Sequence, residues 1–277
     1  MESAGTTVTR ELPFGEPARL NFKADLINVT VAPAAPGQPS RMSVDLPEGM
    51  QDARIEVEQR DGAVFVLVDT GDAFRRIMRN RWKITCRLDL PHGVDATLKT
   101  DAGQIEIRGM TGTFDVRTDA GHVALRGVSG KINLRTDAGK IDCEGFRGSV
   151  DAATSAGAIL LEALALDPGT HTLRADVGKI DVRLAADAAV RVETRTSIGR
   201  TRNAFGAGKP DAPALLRVQT EVGAIAIQRW EIGGPAGRLG AGLDEATRQQ
   251  EIMRILEQVA THDLTAEEAN QRIAALR

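Results

Sequence analysis

The sequence predicts a mainly β protein. It reads as a β-solenoid (β-helix) of about seven 18–24-residue rungs, with an irregular β N-terminal cap and a C-terminal α-helical hairpin. Three observations carry this. The segments KTDAGQIEIRGMTGTFDV, RTDAGHVALRGVSGKINL and RTDAGKIDCEGFRGSVDA follow one another without a gap from Lys99, Arg117 and Arg135, and weaker copies continue from Ala153, Arg174, Arg195 and Gln219. Within each unit apolar residues alternate with polar ones, as at Val123 and Leu125 and then Ile132 and Leu134, which is the period of a half-buried strand. After residue 230 that pattern gives way to glycine and then to helical spacing.

Residues 1–98 form a β-rich capping region continuous with the solenoid. Leu20, Phe22 and Ala24 alternate, as do Ile27, Val29 and Val31, Met42, Val44 and Leu46, and finally Ile84, Cys86, Leu88 and Leu90. These are expected to be irregular antiparallel strands outside the repeat that cover the first open edge of the stack. Residues 99–230 are the repeat proper. Aligned on the corner glycine, the units place Gly103, Gly121, Gly139, Gly157, Gly178, Gly199 and Gly223 in register, and a near-fixed period of this length means stacked units. At each T-D-A-G corner, Asp101, Asp119 and Asp137 are expected to cap the turn through a side-chain hydrogen bond, and the glycine to supply a positive φ. Thr100, Thr118, Thr136 and Thr154 should form an inward ladder. Stacked at about 4.8 Å per rung, seven rungs span roughly 30 Å.

Residues 231–243 read as a flexible linker, with Gly233, Gly234, Gly237, Gly240 and Gly242. Residues 244–277 read as the helical hairpin. Ile252, Ile255, Leu256 and Val259 share one helical face, and Thr265 with Glu268 is a capping box that opens a second helix bearing Ile273 and Leu276. These six aliphatic residues are the candidate oligomerisation surface, so a homo-oligomer is expected.

Composition narrows the function. Seven Phe, two Trp and no Tyr leave few aromatic faces for saccharides or bases. A net charge of −3 and a pI near 5.9 oppose a globally basic nucleic-acid binder. Cys86 and Cys143 are too few for a disulfide framework or a four-ligand zinc site. The N-terminal residues show no charged and then apolar leader, and the longest apolar run, 158–166, is too short to span a bilayer, so a cytoplasmic location is expected.

The T-D-A-G-x-I units with their intervening G-x-x-G turns, preceded by Leu-Pro-His-Gly-Val at 90–94, resemble the bacterial "putative adhesin" β-strand-repeat family of unknown function. The resemblance covers about residues 17–230 and is most specific over 90–180. The tail is similar to SHOCT-like helical hairpins. Together these imply a β-solenoid, an envelope-stress or scaffold role and oligomerisation through the hairpin. They imply no catalytic motif.

Four sets of residues were candidates for chemistry. Asp101, Asp119, Asp137 and Asp176 are expected to stack as an acidic ladder interrupted by Ser155, either a cation row or an acid/base pair or, more simply, turn residues beside the basic ladder of Lys99, Arg117, Arg135 and Arg174. Arg75, Arg76, Arg79, Arg81, Lys83 and Arg87 form a candidate patch for an anionic partner, or else a solvated loop and a charge-protected edge. His92, His122, His171 and His262 lack metal-ligand spacing, so no metal site is expected. Ser155 lies outside any nucleophile elbow, and no phosphate-binding glycine motif is present, so no catalytic residue, cofactor or small-molecule substrate is expected. The leading expectation is a non-enzymatic scaffold or interaction protein with an unknown protein partner. Alternatives are a carbohydrate-active β-helix enzyme and an anionic membrane-surface or nucleic-acid binder acting through 75–87.

Overall fold

The computed structural model describes residues 5–47, 50, 53–71, 84–206, 208–209 and 211–230. The linker at 231–243 and the hairpin at 244–277, with Ile252, Ile255, Leu256, Val259, Ile273 and Leu276, lie outside the described residues. So do Arg75, Arg76, Arg79, Arg81 and Lys83. The chain divides between Trp230 and Glu231. Among the described residues the regular elements are thirteen strands: β1 (Thr6–Glu11), β2 (Arg19–Leu26), β3 (Asn28–Pro33), β4 (Arg41–Leu46), β5 (Arg54–Arg60), β6 (Ala63–Asp69), β7 (Thr85–Leu90), β8 (Asp95–Arg108), β9 (Thr111–Arg126), β10 (Ser129–Leu166), β11 (Gly169–Ala185), β12 (Val190–Asn203) and β13 (Ala214–Trp230).

The long strands are the rungs. Each runs through its corner as one strand, the ladder skipping only the corner position between Thr100–Thr118 and Ala102–Ala120, and both halves turn their alternate apolar side chains into one core. In β8 the half before the corner pairs with β2, and the half after it pairs with β3. β10 is long because it runs through two rungs, 129–144 lying on β9 and 151–163 beside β11. Phe114, Phe146, Leu98, Ile105 and Ile107 are fully buried between the two sides. The inward threonine ladder is present: Thr100, Thr118, Thr136 and Thr154 are all buried, and the Thr100 hydroxyl donates to Thr118 at 3.3 Å.

Two features differ from expectation. The cap is not wholly irregular or antiparallel. β2 and β3 form a rung parallel to β8, and β6 and β7 form another beyond it, with only β1, β4 and β5 added antiparallel at the edges. Ala24-Asp25-Leu26 takes the corner register of Thr-Asp-Ala, since Ala24 pairs with Thr100 and Leu26 with Ala102. The signal was hidden because the β2–β3 rung carries Ile27 where the later rungs carry the corner glycine, its carbonyl oxygen standing against Gly103, and the next rung reads Val-Asp-Thr-Gly at 68–71 instead of Thr-Asp-Ala-Gly.

The order of the last rungs also departs from the chain order. β13 lies between β11 and β12, so the corner glycines stack 103, 121, 139, 157, 178, 223, 199. Side-chain chemistry explains the swap. After its corner, β13 offers Ile225 and Ile227 to the core, whereas β12 offers Thr201 and Asn203 at the paired positions. A rung with polar residues on its inward face is better placed at the end. The chain then returns across that end: Phe205 packs against the core, and the Lys209 amide donates to the Val190 carbonyl at 3.3 Å.

Candidate interaction surfaces

The stacking lines outward side chains into columns. Before the corner, Lys23, Lys99, Arg117, Arg135 and Arg174 share one column. All three of these arginines are held by acids on the same face: Arg117 by Asp115 at 3.2 Å, Arg135 by Asp151 at 3.0 Å, and Arg174 by Asp176 at 3.0 Å and Glu221 at 3.1 Å. At the corner, the acidic column of Asp101, Asp119, Asp137 and Asp176 extends by register to Asp25 and Asp69 at one end and to Glu221 at the other. Burial, with Asp69 and Asp101 nearby, raises the pKa of Asp25.

The corner mechanism differs from the expected one. Among the described residues, Asp101, Asp119 and Asp137 make no side-chain bond to a backbone amide, because the corner is a bend inside the inter-rung ladder. The backbone groups already pair rung to rung, Ala102 with Ala120 and Gly103 with Gly121. The glycines have the expected positive φ at Gly103, Gly139, Gly157, Gly178, Gly199 and Gly223, though not at Gly121, and close approach adds a second requirement. A Cβ built on Gly121, Gly139, Gly157 or Gly178 would stand 1.6–1.9 Å from the carbonyl oxygen of the preceding glycine.

The face beyond the corner holds a half-buried charge network that sequence reading did not find. Glu106 accepts from Arg108 at 2.8 Å and lies 3.3 Å from Arg126, which also reaches Glu144 at 3.5 Å. His122 Nε2 lies 3.0 Å from Asp142, and Lys140 lies 2.6 Å from the same carboxylate oxygen. Glu106–Arg126, Arg126–Glu144 and His122–Asp142 tie adjacent rungs together across about one repeat, a spacing that looks unrelated in sequence. Burial, together with neighbouring Glu144, raises the pKa of Glu162, although Arg183 at 3.7 Å and the Gly145 amide oppose the shift.

The other described candidates are absorbed into structure. His171 fills a core position, where Nδ1 accepts from the Val150 amide at 3.2 Å and Nε2–H donates to the Asp167 carbonyl at 2.8 Å. His92 Nε2 lies 3.4 Å from the Thr111 hydroxyl. Cys86 and Cys143 are free and buried, and burial pushes both thiols above their ordinary range. Arg87, the one described member of the basic patch, donates to Asp89 at 2.9 Å. Among the described residues no group of three His, Cys, Asp or Glu side chains could hold a metal ion.

Two exposed surfaces remain. Near the N-terminal end, an open groove of about 350 Å³ is floored by Phe65 and Leu67, with Lys23 and Lys99 on one side and Glu56 and Glu58 on the other. Near the far end, Val177, Val222 and Ile198 are 54%, 42% and 67% exposed. They are paired neighbours on β11, β13 and β12, where the earlier rungs carry Ala102, Ala120, Ala138 and Ala156. Three adjacent rungs thus exchange a corner alanine for a larger aliphatic side chain and turn it to solvent.

A family model described as Toastrack DUF4097 matches residues 22–205. No curated protein matches. Among solved structures, the chain is similar to a "putative cell adhesion protein" from Clostridium sporogenes, at 12% identity and a TM-score of 0.40, covering 82% of this chain and 100% of that one. It is also similar to a "putative adhesin" from Bacteroides fragilis, at 11% identity and a TM-score of 0.34, covering 81% and 97%. A third is a "putative lipid binding protein" from Parabacteroides distasonis, at 10% identity and a TM-score of 0.33, covering 83% and 97%.

Proposed function

The chain belongs to the Toastrack DUF4097 family, and on that premise we propose that it is a non-enzymatic interaction protein. Its β-solenoid is a rigid body that presents a binding surface, and its C-terminal segment joins copies of the chain. The observation that carries the reading is the ridge of Val177, Val222 and Ile198. Single exposed aliphatic residues are ordinary, but adjacent ones on a soluble surface mark places where something docks.

Self-association rests on the sequence of residues 244–277. Ile252, Ile255, Leu256 and Val259 recur at helical spacing in a segment too short to bury a core of its own. A second copy offers a self-complementary partner for that face. Burying two such side chains per protomer contributes about 3–6 kcal/mol before the costs of association. The test is light scattering on the full chain beside its Ile255→Asp, Leu256→Asp variant. The unmodified chain should be oligomeric at micromolar concentration and the variant monomeric, with the β-sheet circular dichroism of both alike. A monomeric unmodified chain refutes self-association.

A further inference from the structure

We infer that β12 is a strand-accepting edge whose partner is an extended acidic peptide segment of another protein, seated with an apolar side chain against Ile198. This deepens the interaction reading of the ridge and rests on it.

The backbone is the first ground. β12 pairs with β13 along its length. On its other side, the only contacts among the described residues are at its start, where Arg191 bridges to Gly208 and the Val190 carbonyl accepts from Lys209. From Val192 to Asn203 no second strand is present among the described residues. An edge of this kind carries a row of backbone donors and acceptors that another extended chain can complete.

Charge is the second ground. The strand holds Arg191, Arg195, Arg200 and Arg202 against a single acid, Glu193. Glu193 is occupied by Arg191 at 3.4 Å and Arg217 at 3.1 Å. Arg195, Arg200 and Arg202 are exposed and make no ion pair among the described residues. In the column that Arg195 shares, Arg117, Arg135 and Arg174 of the inner rungs are each matched by an acid on their own face. Among the described residues, the last rung therefore presents exposed guanidinium groups beside an edge with no second strand. They oppose pairing of β12 with its own copy, which would set arginine opposite arginine, and they favour a strand carrying carboxylates at alternate positions.

The apolar ridge is the third ground. Ile198 sits on β12 itself, and Val222 and Val177 continue its line onto the next two rungs. An aliphatic side chain of an added strand would extend this row by one member. Backbone pairing gives such a complex affinity, while the arginines and the ridge select its sequence.

The test uses the full chain and a short fluorescein-labelled peptide alternating Glu and Val, read by anisotropy. The peptide should bind at low salt and weaken as salt rises, and a Lys/Val counterpart should not bind. Arg200→Glu with Arg202→Glu should lower affinity at least tenfold without moving the melting temperature. Ile198→Ala should lower it several-fold. A peptide N-methylated at alternate residues should lose binding if the backbone pairs as a strand. Equal binding of the Lys peptide, of the N-methylated peptide or by the double variant overturns the proposal. So does a change in the particle's mass caused by the double variant, which would make the edge a contact between copies. β12-dependent binding to phosphatidylglycerol vesicles without peptide binding also overturns it. Peptide binding that persists in the Ile255→Asp, Leu256→Asp variant separates this proposal from self-association, so either can fail alone.

Discussion

At Gly139 a Cβ would lie 1.8 Å from the carbonyl oxygen of Gly121, whereas at Gly127 nothing lies within 4 Å. The two glycines therefore recur along the repeat for different physical reasons, close stacking at the corner and a φ of 58° at the turn. Gly139→Ala must push two rungs apart and should cost more than about 4 kcal/mol. Gly127→Ala meets only left-handed strain and should cost about 1–2 kcal/mol. Asp119→Ala, with no local hydrogen bond to lose, should fall within about 0.5 kcal/mol of the unmodified chain. Denaturant unfolding of the three variants ranks them, and equal losses for the two glycines would refute the stacking explanation. Glu162 supplies a pH test. Its raised pKa means that the folded state disfavours its charge, so its contribution to stability is present below the ordinary carboxylate range and lost as pH rises through the raised value. Glu162→Gln removes that dependence. The melting temperature of the Gln variant relative to the unmodified chain should be higher at neutral pH than near about pH 4.3. A difference that does not vary with pH would contradict the burial of this carboxyl.

At the scale of elements, what the sequence made legible was whatever repeats in one dimension. The corner glycines, the inward threonines and the alternation of Val123 with Leu125 gave the rungs directly, because each is fixed by local geometry. Pairing between distant segments was less visible. Ala24-Asp25-Leu26 enters the corner register with Ile27 in place of the glycine, and Val68-Asp69-Thr70-Gly71 shares only its Asp and Gly with Thr-Asp-Ala-Gly, so two parallel rungs read as irregular cap strands. The exchange of β12 and β13 left a readable trace. Arg-Thr-Arg follows Gly199 where Ala-Ile-Ala-Ile follows Gly223, and only the second can fill an inner rung. The charge network from Glu106 to Asp142 left none, since its members are ordinary surface residues until the stack brings them side by side.

At the scale of the whole molecule, position in the stack and position in the chain are different variables, and the last two rungs separate them. In a stacked repeat each rung touches only its neighbours, so stability is a sum of rung terms and nearest-neighbour interfaces. β13 is flanked by β11 and β12 and buries Leu216, Val218, Ile225 and Ile227. Among the described residues β12 pairs along its length with β13 alone, and beyond Val192 its paired inward positions are polar or partly exposed. The same end carries Val177, Val222 and Ile198, which look like unremarkable apolar residues in sequence and become a ridge only when the stack aligns them. Local opening should therefore begin at β12, although β13 follows it in the chain. Amide hydrogen exchange on the full chain should show faster exchange over 194–203 than over 216–227, and protection over 216–227 should approach that of β11. If the order were sequential, β13 would be the outer rung and exchange first. Slower exchange in 194–203 than in 216–227 would reverse the rung order and remove the free edge with it.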